Sequence, residues 1–196
     1  MDSKTDLRRL LRRRRAALSA RQRRHASQAA ARHLLKSQTF LRARRLALYH
    51  ATNNELDAMP IAKAAWRLRK ACYLPVLHPF LHGRLVFVRW QPDSRMRPNR
   101  FGIPEPADLK RTLPTRELDL VIVPLLGVDT QGTRLGMGGG FYDRSFAFRL
   151  RCKAWHKPRL VGFACEDQRV DRLPRNAWDI RLDAVCTEKG FFTLRS

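Results

Sequence analysis

Acidic side chains are scarce in this sequence. Seventeen Asp and Glu stand against 40 Lys and Arg in 196 residues, a net charge of +23 with histidine neutral. That balance excludes an acidic solvating chain and directs attention to polyanionic ligands: nucleic acid, phosphorylated small molecules, polyglutamates or an anionic membrane surface. An arginine-rich genome composition would give the same charge with no ligand behind it. Cysteine is also scarce. Cys72, Cys152, Cys165 and Cys186 are widely spaced and no pair forms CxxC, which argues against a disulfide frame or a zinc site and for reduced thiols in a cytoplasmic protein. No apolar run approaches the roughly 18 residues of a membrane span. The opening MDSKTDLRRLLRRRR has no apolar segment or small-residue cleavage site, so no secretory signal is visible. Among the six histidines only His78 and His82 are spaced i, i+4, and Pro79 between them argues against a helix presenting both to one metal. What remains is a globular composition, 44% apolar and 29% charged, with a length that fits one domain over residues 1–196.

The charge is uneven. Residues 1–45 carry 15 basic and two acidic side chains. Leu7, Leu10, Leu11 and Leu18 form an apolar stripe among these arginines and predict a helix over 3–18. Ser19 with Gln22 has the spacing of a capping box and opens a second helix to about Lys36, whose Ala26, Ala29, Ala30 and Leu34 make a small apolar face. Residues 1–38 therefore read as a pair of basic helices packed on the rest of the domain. Strands are expected at 46–49, 71–76, 85–90, 118–123, 159–164, 183–187 and 191–194. Helices are expected from near Asp57 to Lys70, with Pro60 in the first turn, and from Phe141 to Arg151. Residues 91–117 read as one long ordered connection. Alternation of strand and helix predicts an α/β fold with a mostly parallel central sheet flanked by helices.

The most informative stretch runs from Val121 to Asp143. It leaves an apolar strand, passes Gly136, Gly138, Gly139 and Gly140, and enters a helix, which is where open α/β sheets place ligands. Glycines let backbone N–H groups approach an anion, and a helix start adds partial positive charge. Arg134 offers a fork for phosphate oxygens. Asp143 could bridge a hard cation to those phosphates. A tight turn with no ligand would use the same glycines. The stretch is neither a Walker A sequence nor a dinucleotide fingerprint, because Phe141 stands where the latter needs Gly or Ala.

Arg134-Leu-Gly-Met-Gly-Gly-Gly-Phe-Tyr-Asp143 closely resembles the signature of the 5-formyltetrahydrofolate cyclo-ligase (5,10-methenyltetrahydrofolate synthetase) family. The resemblance covers nearly the whole chain. Lys4-Thr-Asp-Leu-Arg8 is similar to its N-terminal KxxLR, and Phe101-Gly-Ile-Pro-Glu-Pro106 to its FGIxEP segment. Glu55, Gln168, Asp179 and Asp183 fall at matching positions. The resemblance implies a fold related to sugar-phosphate isomerases and CoA-transferases. It implies ATP- and Mg²⁺-dependent cyclisation of 5-formyltetrahydrofolate to 5,10-methenyltetrahydrofolate, with release of ADP and phosphate, by a cytoplasmic monomer that needs no nucleic acid.

Residue by residue, the resemblance assigns ATP binding to Lys4, Thr5, Asp6, Leu7 and Arg8 and to Arg134, Leu135, Gly136, Met137, Gly138, Gly139, Gly140, Phe141 and Tyr142. It assigns the folate to His50, Glu55 and Tyr142, and Mg²⁺ to Asp143 and Asp179. Each residue has a plainer reading. Lys4 and Arg8 share a helix face and fit a solvated basic surface; Glu55 fits a helix cap or loop carboxylate; Asp179 fits a turn cap. Met137 and Gly139 stand where some members carry basic residues, which shifts phosphate binding toward Arg134 and the backbone. The arginine excess at 9–45 lies outside the motif and would suit a polyglutamylated folate. Two rivals are a nucleic-acid-binding protein, favoured by the basic helices, and a sugar-phosphate isomerase or CoA-transferase type enzyme, which fold alone does not separate.

Overall fold

The structure is a computed structural model that describes residues 3–52, 54–78, 80–151 and 157–194. Cys152 lies outside the described residues. The chain opens with helices α1 (Lys4–Ala17), α2 (Ala20–Lys36) and α3 (Gln38–Arg42), then strand β1 (Arg45–Ala47), α4 (Met59–Arg67), β2 (Ala71–Leu77) and β3 (Leu85–Trp90). Short strands β4 (Met96–Pro98), β5 (Pro104–Pro106) and β6 (Thr112–Leu113) precede β7 (Leu120–Val123). After β8 (Gly127–Val128) and β9 (Arg134–Leu135) come α5 (Phe141–Ser145), α6 (Phe148–Arg151), β10 (Arg159–Phe163), β11 (Ala184–Thr187) and β12 (Gly190–Thr193).

Eight strands form one sheet in the order β12-β11-β10-β7-β1-β2-β3-β6. Its middle five, from β11 to β2, run parallel, and each strand outside them pairs antiparallel with its inner neighbour. This is the expected mixed α/β architecture with a mostly parallel centre. The reason is visible in β7, where all four residues are buried, as a strand covered on both faces requires. Side chains alternate between the two faces. Leu46, Leu120 and Ile122 join the core under α2 and α4. Ala47, Val121 and Val123 join the opposite core, which holds Phe87 and Phe146.

Both halves of the capping box expected at α2 are formed: Gln22 N–H donates to Ser19 Oγ at 3.2 Å, and Ser19 N–H to Gln22 Oε1 at 2.8 Å. The small face Ala26, Ala30 and Ala31 lets α2 sit close against the sheet. Three expectations need correction. The connection 91–117 contains the β4–β5 hairpin and edge strand β6. The glycine loop contains the paired strands β8 and β9. The helix expected from Phe141 to Arg151 breaks after Ser145, where the chain turns to bury Phe146 among Phe87, Tyr142 and Phe148. Among the described residues no helix is long and apolar enough to cross a membrane.

Candidate functional site

The loops leaving the carboxyl ends of β1, β7 and β10 converge under α1. Leu11 plugs the helix into them, packing with Leu126, Leu135 and Leu173, and Leu7 borders the same cluster. Arginines at the spacing of one helix face then reach across. Arg8 Nε donates to Gly136 O at 3.0 Å, and Arg12 Nη2 to Met137 O at 3.4 Å. Arg15 is buried, and its Nη1 donates to Leu125 O at 3.3 Å. Gln168 Nε2 donates to Leu125 O and Leu126 O at 2.8 and 3.2 Å from the turn after β10. Helix α1 is thus stitched to the strand-exit loops through their backbone carbonyls.

The loop itself folds as it does because of two glycines. Gly138 has φ +111° and Gly140, which precedes α5, has φ +63°; both values are costly for residues with a Cβ. Gly138 lies directly under the Arg8 guanidinium, where an added Cβ would stand 3.7 Å from it. Met137 is exposed at the tip. Helix α5 has only five residues. The charge expected from a helix start is accordingly reduced, since a macrodipole needs aligned turns, and any anion here relies on loop N–H groups and cations. Arg144 hydrogen-bonds Gly139 O and Gly83 O, tying the loop to the β2–β3 turn, and lies over the Phe141 ring.

Arg134 is almost fully buried. Its Nη2 donates to Asp143 Oδ1 at 2.8 Å, Nη1 donates to Ile180 O at 2.5 Å, and the guanidinium lies 5.9 Å from the Tyr142 ring centre. Asp143 Oδ1 also accepts the Ile180 N–H at 3.0 Å. Asp179 Oδ2 accepts from Lys4 Nζ at 2.7 Å and from Asn176 N–H at 2.7 Å, so it is a turn cap as well as a partner of the first helix. Within the KxxLR segment, Thr5 and Asp6 are exposed, and Asp6 bonds Ser3 and Arg9.

These two carboxylates bear on metal binding. Among the described residues no group of three or more His, Cys, Asp and Glu could hold an ion. Asp143 Oδ2 and Asp179 Oδ1, however, receive no hydrogen bond from the described residues. One or two carboxylate oxygens completed by phosphate and water is the set that Mg²⁺ favours. The residues fit such an ion only in company with a phosphorylated ligand.

Glu55 lies on the loop after β1 and is largely buried, its side chain 10% exposed. Oε2 accepts the Thr52 N–H at 3.0 Å, and Oε1 stands 3.6 Å from Arg15 Nη1. It does not cap α4; Asp57 Oδ1 accepts the Met59 N–H there. Burial raises the Glu55 carboxyl above its ordinary range, and the Thr52 N–H and the Arg15 charge work against that rise. Burial lowers Arg15 in turn, and Glu55 opposes this. Tyr142 is raised, first by burial and then by the Glu55 charge. Along the same loop opens a cleft of about 290 Å³ lined by Tyr49, His50, Ala51, Asp57, Met59 and Trp90. His50 Nδ1 is buried there with no hydrogen-bond partner among the described residues.

The structure therefore brings Lys4, Arg8, the glycine loop, Arg134, Asp143 and Asp179 into one network, with Glu55 joined to it through Arg15. Sequence reasoning missed Arg15 and Arg144. A signal for Arg15 existed: it lies four residues after Leu11, on the apolar stripe rather than the wet face.

A profile of the 5-formyltetrahydrofolate cyclo-ligase family matches residues 1–188. The chain is 41% identical over 179 residues to the 5-formyltetrahydrofolate cyclo-ligase of Escherichia coli K12, covering 91% of this chain and 96% of that one. It is 39% identical over 171 residues to the Haemophilus influenzae enzyme of the same name, covering 86% and 88%. The NMR structure of Aquifex aeolicus 5,10-methenyltetrahydrofolate synthetase superposes with a TM-score of 0.82 at 30% identity, covering 98% of this chain and 93% of that one.

Proposed function

The chain belongs to the 5-formyltetrahydrofolate cyclo-ligase family and is an enzyme of that kind; from this premise we propose that it closes 5-formyltetrahydrofolate to 5,10-methenyltetrahydrofolate at the expense of ATP, at the site under α1. The observation that carries the reading is the Arg8–Gly136 hydrogen bond, which lays the KxxLR helix on the glycine loop, with Lys4 on Asp179 and Arg134 on Asp143 beside it.

In this reading the formyl oxygen attacks the γ-phosphorus of ATP and ADP leaves. N10 of the same folate attacks the activated formyl carbon and loses its proton. The carbon–oxygen bond then breaks, releasing phosphate and leaving the methenyl bridge. No side-chain nucleophile is required. Positioning and charge stabilisation carry phosphoryl transfer, and Lys4, Arg8, Arg134 and the backbone from Gly136 to Gly140 supply the positive field. Mg²⁺, when bound, would neutralise phosphate charge, held by Asp143 with Asp179 beside it. Glu55 would accept adjacent N–H donors of the pterin, and the His50 cleft and the Tyr142 ring would flank the folate. The same reading takes the enzyme as a cytoplasmic monomer and leaves the arginine face of α1 and α2 to a polyglutamate tail.

The test is a single assay. Purified protein, 5-formyltetrahydrofolate, Mg²⁺ and ATP should give a rise in the near-ultraviolet absorbance of the methenyl product, and omission of ATP should abolish it. A flat trace from folded protein would overturn the reading.

A further inference from the structure

Arg15 is one of four consecutive arginines, Arg12 to Arg15, yet its side chain is only 3% exposed. A charge is not buried without partners. Those of Arg15 come from both halves of the site. Nη1 reaches Leu125 O at 3.3 Å, on the strand-exit loop that leads to the glycines, and stands 3.6 Å from Glu55 Oε1. Nη2 faces the sulfur of Met137 at 4.0 Å. No other basic side chain among the described residues pairs with Glu55. Without Arg15 the largely buried Glu55 would keep, among the described residues, only the Thr52 N–H and hydroxyl.

We propose that Arg15 is a positioning residue that holds Glu55 ionised and aimed for the folate while fastening that carboxylate to the loop beneath the nucleotide. This rests on Glu55 being the folate-binding carboxylate. Arg15 touches neither substrate; it acts through Glu55 and through the loop. Among the described residues the groups facing Glu55 are Arg15 from α1, Tyr49 just after β1, Thr52 on its own loop and Tyr142 from α5. Of these only Arg15 carries a positive charge, so its loss moves Glu55 toward protonation at higher pH. A folate held by an ionised Glu55 is then released at a higher pH as the solution is acidified.

The test is a double-mutant cycle on folate binding. Dissociation constants for 5-formyltetrahydrofolate without ATP are measured for the full chain, Arg15→Met, Glu55→Gln and the double variant, from pH 5 to 8. Glu55→Gln should weaken binding and flatten its acid limb. Arg15→Met should weaken binding about tenfold and shift the acid limb upward, and in the Glu55→Gln background the same change should cost about twofold or less. Arg15→Lys keeps the charge but not the planar fork; its acid limb should stay near that of the parent chain, with intermediate affinity. Should Arg15→Met fail to fold by circular dichroism, the cycle is closed with Arg15→Gln, which also removes the charge but keeps a donor for Leu125 O, with the same expected loss and acid-limb shift. If Glu55→Gln leaves binding unchanged, the folate role of Glu55 itself is overturned. If Glu55→Gln weakens binding but the two changes simply multiply with no shift of the acid limb, the coupling proposal alone is overturned.

Discussion

Replacing Asp143 by Asn separates the structural and chemical roles of that carboxylate. Its Oδ1 takes two hydrogen bonds, from Arg134 Nη2 at 2.8 Å and from Ile180 N–H at 3.0 Å. The amide oxygen of Asn can accept both, so the arrangement survives but the charge does not. Arg134, with its side chain 6% exposed, would keep only neutral partners. Removing one partner of a fully buried ion pair costs about 3–5 kcal/mol; here Asp143 is 23% exposed and Asn keeps both hydrogen bonds, so only part of that is lost. The expected cost is therefore about 1–2 kcal/mol. At about 2–4 °C per kcal/mol for a chain of this size, the melting temperature should fall by about 2–8 °C. That leaves the protein folded at 25 °C. Catalysis should fall much further, because the substitution also removes the charge on Oδ2, which accepts no hydrogen bond from the described residues and in the proposed reading faces phosphate and metal. Loss of one preorganised electrostatic group costs about 100- to 1000-fold in turnover, and raised Mg²⁺ should recover part of it. The assay is the methenyl absorbance rise at limiting and saturating Mg²⁺, alongside thermal melts. Near-parent turnover at limiting Mg²⁺ would remove Asp143 from the site, and a rate loss matching only the unfolded fraction would reduce it to a scaffold residue.

Two further expectations concern other parts of the molecule. Lys4→Met removes the 2.7 Å contact with Asp179 and one cation from the proposed phosphate field; the KM for ATP should rise about tenfold, about 1.4 kcal/mol, while the KM for the folate stays the same, and an unchanged KM for ATP would release Lys4 from that role. Cys72, Cys165 and Cys186 are buried, and burial pushes each thiol up to about 12. All three remain protonated at pH 8 and should resist iodoacetamide in the native protein but react after denaturation, with peptide mass mapping as the measurement; native labelling of any of them would contradict the packing described.

The parts of the fold that were legible in the sequence are those where local chemistry and tertiary packing agree. Ser19 and Gln22 announce α2 because the capping box is a local device. Leu120–Val123 announces the central strand because a run apolar on both sides has only a sheet interior to enter. The expected helix at 141–151 failed because its helical spacing is interrupted by Phe146, whose burial against Phe87 is a long-range contact. Strands β8 and β9 were hidden because each has two residues, too few to show an alternation. At the site, the KxxLR and glycine-loop residues were readable as motifs, but their partners were not. That Lys4 meets Asp179, or that Arg134 is committed to Asp143 and Ile180, depends on chain returns far apart in sequence. Arg15 was concealed differently, by three neighbouring arginines of identical type, and only its phase relative to Leu11 sets it apart.

The way α1 is pinned has a consequence for how the chain acquires activity as it is made. Lys4 pairs with a residue 175 positions later and Arg8 with one 128 positions later. Helix α1 thus waits for the segments that carry Gly136 and Asp179 before these partners exist. The sheet centre can form before then, since β1, β2 and β7 all precede residue 124. Closing such long loops adds little entropy cost beyond that of shorter ones, but contacts so distant in sequence form slowly. A chain made only as far as β7 carries the middle of the sheet but lacks both contacts that pin α1, so that under the proposed reading catalytic competence follows the sheet centre rather than forming with it.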